Sequence, residues 1–264
     1  MIQEKRLEAE AVTFAYVTGR DVLRAVTMSI KEGDVLFVLG ANGSGKTTIL
    51  ECLAGLRIPQ GGRVFLDGAP LERIPLGERA RRIGLVPQIH EPVFDYTVGE
   101  VVLMGRTPYL GLFGRPGRRD WEAVDRALEA VGLRALREQV YTEISGGERQ
   151  LALIARGLAQ GAACLLMDEP AAHLDPHHQH RVFATVARLA KGGFSFVVTS
   201  HQPNNALLYG ERAAFLIDGH VGMPGPPADV VTEEALFDAY GIGFELLQGE
   251  SGSRAILPRV SRHA

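Results

Sequence analysis

Two short stretches carry glycines where a chain gathers negative charge: GANGSGKTT at 40–48 and ISGGERQ at 144–150. In the first, Gly40, Gly45, Lys46 and Thr47 satisfy G-x-x-x-x-G-K-[ST], between the apolar run VLFVL and a helix-forming segment. Glycines are required there because successive backbone N–H groups must turn inward around a phosphate, which side chains would obstruct. The whole turn, Gly40, Asn42, Gly43, Ser44, Gly45, Lys46, Thr47 and Thr48, is therefore expected to cradle a nucleoside triphosphate. Lys46 would serve the β- and γ-phosphates, and the Thr47 hydroxyl would coordinate Mg²⁺.

CLLMDEP at 164–170 supplies the acidic side. An acid at the carboxyl end of a buried parallel strand emerges beside a phosphate loop, so Asp168 is placed to hold Mg²⁺. Glu169, one residue on, is placed to orient and deprotonate an attacking water. The second glycine pair is itself an anion site, because Ser145, Gly146 and Gly147 open a helix whose first amides are unpaired. The phosphate loop already envelops its own phosphates, so this second turn is expected to serve the nucleotide of another copy. Two chains paired about a two-fold axis would each offer it to the partner.

These residues need a sheet to hold them. Leu7, Ala9 and Ala11, then Val22, Val26, Met28 and Ile30, alternate as two half-buried strands joined through TGRD at 18–21. DVLFVLG, RIGLVPQ, AACLLMD and GFSFVVTS read as buried strands separated by helices, which implies a mostly parallel α/β sheet. Thr97 with Glu100 and Ser145 with Glu148 form capping boxes. Residues 92–142 read as a helical insertion, leaving 1–91 and 143–264 as the nucleotide-binding core. FLIDGHVG reads as a hairpin, Thr232 as a helix cap, and the tail from Gly241 is weakly patterned.

Composition agrees with one large domain or a core with an insertion: 264 residues, 46% hydrophobic and 22% charged. The net charge of -3 is spread over both signs, so no basic face for nucleic acid or lipid headgroups is implied. Cys52 and Cys164 lack metal spacing and read as buried hydrophobes in a reducing compartment. The start MIQEKRLEAE has no apolar stretch of a secretory signal, and no apolar run approaches the roughly 18 residues of a membrane span. The chain is expected to be soluble on its own, with any membrane role borrowed from a partner.

Taken in order, GANGSGKTT, VPQ, ISGGERQ, CLLMDEP, HLDP and TSHQ resemble the motifs of an ATP-binding cassette ATPase over essentially the whole length. The resemblance implies a RecA-like P-loop NTPase core, an N-terminal antiparallel β-subdomain and an inserted α-helical subdomain. By that likeness Gln88 senses Mg²⁺ and water, and Asp175 in HLDP lies at a dimer interface. His201 contacts the γ-phosphate and steadies the water that Glu169 activates, and Tyr16 stands against adenine. Without the resemblance, Gln88 is a polar residue at a strand end, Asp175 a helix N-cap, His201 a loop histidine and Tyr16 a core aromatic. Two departures stand out: the signature is usually LSGGQ, whereas Ile144 and Glu148 occur here, and Ala171 replaces a frequent threonine.

The segment from Val101 to Leu133 and the SHQPNNAL stretch resemble the ATPases of metal-chelate importers, for siderophores, haem, cobalamin and related oxyanions. That likeness implies a homodimer around two MgATP, docked on an integral-membrane permease dimer and served by an extracytoplasmic binding protein. Its place would be peripheral, on the cytoplasmic face of the inner membrane. Two other readings exist: a soluble ATPase acting on a cytosolic protein, and a P-loop kinase, which leaves the second glycine turn unused. His173, His177, His178 and His180 could alternatively share a metal through i, i+3 spacing.

Overall fold

Five consecutive apolar residues, Val35–Leu39, are all buried, as a strand covered on both faces requires. The computed structural model describes residues 5–88, 95–111, 114–249 and 254–259. Along the chain run β1 (Lys5–Val17), β2 (Arg20–Lys31), β3 (Val35–Leu39), α1 (Lys46–Leu53), β4 (Gly61–Leu66), β5 (Ala69–Pro70), α2 (Leu76–Arg82) and β6 (Ile83–Val86). There follow α3 (Val98–Leu103), α4 (Arg118–Val131), α5 (Gly146–Ala159), β7 (Cys164–Asp168), α6 (Pro176–Lys191), β8 (Ser195–Ser200) and α7 (Pro203–Tyr209). The chain closes with β9 (Arg212–Ile217), β10 (His220–Val221), α8 (Pro227–Val230), α9 (Glu233–Tyr240), β11 (Phe244–Gln248) and β12 (Arg254–Pro258).

The central sheet has the order β10-β9-β3-β8-β7-β6, parallel apart from the edge strand β10. It puts the carboxyl ends of β3, β7 and β8 side by side. The N-terminal strands form a separate antiparallel sheet, β2-β1-β4-β5, with the TGRD turn joining its two long members. One apolar cluster joins this sheet to α1 and one face of the central sheet. The other cluster runs from the opposite face through α5 into the inserted helices.

Between β6 and α5 the described residues are helical: α3, a 3₁₀ segment Met104–Tyr109, α4 and two shorter 3₁₀ turns. Both expected capping boxes form, at Thr97 with Glu100 and Ser145 with Glu148. Gly132 closes α4 in the left-handed conformation, φ 73°. The two ends of the insertion meet at an isolated bridge between Thr97 and Val140. The expected boundary near 91–92 lies outside the described residues.

The tail beyond Gly241 differs from its reading as unpatterned chain. β11 and β12 pair as an antiparallel hairpin, anchored by buried Ile256. Asn204 on α7 holds the hairpin, accepting from the Ile256 amide at 2.8 Å and donating to its carbonyl at 3.2 Å. Cys52 and Cys164 are free and buried. Among the described residues no helix is long and apolar enough to cross a membrane.

The insertion is riveted to the core beside the 3₁₀ segment. Arg106 donates to Asp120 Oδ1 at 3.0 Å and to the Ala159 carbonyl at 2.8 Å, and its guanidinium lies 3.7 Å from the Tyr109 ring centre. Arg81 faces the same ring at 4.6 Å. Gly105 permits this approach, since a Cβ there would fall 2.2 Å from the Arg156 carbonyl oxygen. Gly105→Ala is therefore expected to lower stability by about 1–3 kcal/mol in urea denaturation, the cost of overpacking against backbone. An unchanged midpoint would contradict this contact.

Candidate active site

The chain leaves β3 at Leu39, turns through residues 40–45 and enters α1 at Lys46. Gly43 and Gly45 take φ of +81° and +104°, which side chains disfavour. At Gly40 a Cβ would stand 2.5 Å from the Leu216 carbonyl oxygen and 2.7 Å from Ser44 Oγ. The loop is thus pressed against β9, and only glycine fits.

Lys46 is the electrostatic centre. Its side chain is 5% exposed, and Nζ lies 2.9 Å from the carbonyl oxygens of Gly40 and Ala41 and 3.2 Å from Glu169 Oε1. A buried ammonium requires such a shell of oxygens. Three acceptors match the three N–H bonds of the ammonium.

The sheet register supplies the carboxylates. Asp168 pairs with Thr199 across β7 and β8, and Thr199 Oγ1 donates to Asp168 Oδ1 at 2.7 Å. Thr47 Oγ1 donates to the other oxygen, Asp168 Oδ2, at 2.7 Å. Thr199 was not singled out from sequence; only the register of the two strands reveals it. A hydroxyl and a carboxylate at one loop are hard oxygen donors, a set that fits Mg²⁺ completed by phosphates and water.

Glu169 follows in the left-handed region, φ 43°, a conformation that costs a non-glycine residue about 1 kcal/mol or more. Its amide donates to Thr199 Oγ1 at 3.0 Å, and Oε2 lies 2.7 Å from His201 Nδ1. Burial pushes its carboxyl upward, but the hydrogen bonds from His201 and Lys46, with their charges, outweigh it and hold the pKa below the usual glutamate value.

A cleft of about 610 Å³ opens over this group, lined by Tyr16, Asn42, Thr47, Gln88, Glu169 and His201 among others. Tyr16 is 54% exposed, so it stands at the rim and not in the core. Its hydroxyl lies 3.1 Å from Thr48 Oγ1, and Arg57 stacks over the ring at 5.1 Å.

Ser145 and Gly147 do not line that cleft, nor does Asp175. Ser145 caps α5, and Gly146 lines an adjoining cavity of about 280 Å³ that shares Gln88, Glu169, Ala172 and His173 with the cleft. Asp175 caps α6, accepting from the His178 amide at 3.0 Å and approaching His178 Nδ1 at 2.6 Å. Those two contacts, amide first, hold its carboxyl below the usual range. Hence the expected residues divide: Gly40 to Thr48, Tyr16, Gln88, Asp168, Glu169 and His201 converge, while the SGG turn and Asp175 form a second cluster.

The histidine run does not gather into a shared site. His178 turns to Asp175 and His180 to the Tyr209 hydroxyl at 3.0 Å. Among the described residues no group of three or more His, Cys, Asp or Glu could hold a metal.

Residues 23–172 match the protein family described as ABC transporter. The chain belongs to the ABC transporter family. It is similar to the hemin import ATP-binding protein HmuV of Myxococcus xanthus, 37% identical over 249 residues and 92% of each chain. It is likewise similar to the ferric enterobactin transport ATP-binding protein FepC of Escherichia coli, 37% identical over 239 residues, 90% of this chain and 88% of the other. Among solved structures, a metal-chelate type ABC transporter in an inward-facing conformation superposes with a TM-score of 0.85 at 29% identity, covering 97% of this chain and 98% of that one. A bacterial ABC transporter cassette solved as a dimer gives 0.71 at 28% identity, covering 84% and 98%. The chain is thus an ABC ATPase, binding ATP and hydrolysing it in the service of transport.

In this ABC ATPase, Glu169 carries the loop's ionic balance even without nucleotide. Its folded pKa is depressed, so its stabilisation is present above the unfolded value near 4.5 and is lost as pH falls through the folded value. Glu169→Gln is expected to be about 1–3 kcal/mol less stable than the parent at pH 7 without nucleotide. That gap should close as the pH drops through the depressed folded value, below the usual glutamate range. Denaturant unfolding across this range checks it, and a gap that widens in acid would contradict the pairing.

Proposed function

We propose that this ABC ATPase works as a homodimer that closes around two MgATP and drives a membrane permease importing a metal chelate. The observation that supports the dimer is the position of the helix start at Ser145, which does not line the cleft that holds Lys46 and Glu169, while Gly146 faces the cavity adjoining it. A partner copy related by a two-fold axis would bring that turn, with Asp175 beside it, over the open side of the cleft. The metal-chelate assignment is supported by relatives named for hemin and ferric enterobactin, two iron chelates that share a bound metal.

Bound ATP would engage the amides of residues 42–48, with its adenine against the exposed Tyr16 ring. Thr47, Asp168 and Gln88 would hold Mg²⁺, which neutralises the β- and γ-phosphate oxygens when bound. Phosphate oxygens offer Lys46 a stronger partner than Glu169 does. Once Lys46 turns to them, Glu169 loses one of the two contacts that hold its pKa down. The glutamate becomes a better base as the substrate arrives. His201, bonded to Oε2, keeps the freed carboxylate aimed and stays within reach of the γ-phosphate.

The helical insertion would meet the permease, since it is tied through α5 to the Ser145 turn and can pass a displacement of one to the other. Glu169→Gln is expected to bind ATP, to form a lasting nucleotide-bound dimer and to lose about 10²- to 10⁴-fold in turnover. Turnover at the parent rate would remove Glu169 as the base. Purification from detergent-solubilised membranes should recover a polytopic membrane partner. A partner from the cytosol in its place would overturn the importer reading.

A further inference from the structure

The signature turn departs from the usual glutamine at Glu148, and the structure gives that carboxylate a specific occupation. Glu148 Oε2 accepts from the Ser145 hydroxyl at 2.7 Å and from the Ser145 amide at 2.9 Å. A serine hydroxyl has a single proton to donate. A phosphate oxygen can only accept, so a triphosphate reaching this turn and Glu148 compete for that proton. The carboxylate is the stronger rival, since hydrogen bonds to ionised acceptors are about twice as strong as neutral ones. Glutamine would offer a neutral oxygen while still completing the S-x-x-[EQ] capping box.

Charge works in the same direction. The hydroxyl and amide of Ser145 hold the Glu148 carboxyl below the usual range, and Arg181 and His178 add to this. An anion approaching the first amides of α5 therefore meets a standing negative charge. The turn has no room to retreat: His178, fixed by Asp175, packs so close to Gly147 that a Cβ would fall 2.3 Å from its ring.

We propose that Glu148 is a positioning residue that latches the Ser145 proton in the separated chains and so sets how much MgATP is needed to close the dimer. This rests on the shared-site reading above.

The test compares full-length Glu169→Gln with Glu169→Gln/Glu148→Gln by light scattering over a MgATP titration, with thermal melting of each. The double variant is expected to reach half-dimer at about tenfold lower MgATP, with melting within about 2 °C of the single variant. A role as helix cap alone leaves the two titrations superimposed, because glutamine caps as well as glutamate, and that result or a higher midpoint overturns the latch. If Glu169→Gln itself stays monomeric at saturating MgATP, the shared site fails, and the latch with it. A shared site without a latch shows as dimerisation of both variants at the same midpoint.

Discussion

A positive charge held inside the protein organises the molecule. Lys46 is almost wholly shielded from water, so its ammonium must be surrounded by oxygens wherever it points. Two carbonyls of its own loop and the carboxylate of Glu169, just past β7, meet that demand. The loop must then be tight enough to turn two carbonyls back on its own lysine, which accounts for its glycines. The carboxylate must arrive from the neighbouring region of the sheet, which accounts for the parallel order of β3, β8 and β7. A triphosphate presents the same kind of ligand in greater charge, so the cation that the fold surrounds with oxygens is suited to a phosphate as well.

The acidic side shows the same economy of means. Thr199 holds Asp168 with its hydroxyl and accepts from the Glu169 amide, so a single side chain on β8 orients the last residue of β7 and the one after it. Asp168 is thereby aimed at Thr47, and Glu169 is twisted into a left-handed conformation toward Lys46 and His201. Strain of this kind persists only where surrounding contacts over-determine it. Here three contacts do so, from Thr199, Lys46 and His201.

What could be read from the chain was what depends on local chemistry. The phosphate loop, the acidic strand end and both capping boxes each follow from residues a few positions apart, and each is found. What depends on register or on distant packing was not readable. Thr199 is an ordinary strand residue until β7 and β8 are aligned. Tyr109 gives no sign in sequence that both Arg81 and Arg106 close on its ring. The β11–β12 hairpin lacks clear alternation because its stability comes from Asn204 and from packing against α9. The Ser145–Glu148 box was visible as a helix cap, but the direction of the serine proton emerges only with atomic positions.

Within one chain, Lys46, Thr47, Gln88, Glu169 and His201 line one cleft, and the chain's own SGG turn does not line it. The claim that two copies complete one another is tested most directly by cross-linking. Asn42→Cys and Ser145→Cys are placed in separate, differently tagged chains, with native Cys52 and Cys164 both buried and out of reach. Oxidation of the mixture should yield a covalent pair bearing both tags when MgATP is present and little of it without nucleotide. No cross-link, or a yield indifferent to MgATP, would contradict a site shared between chains.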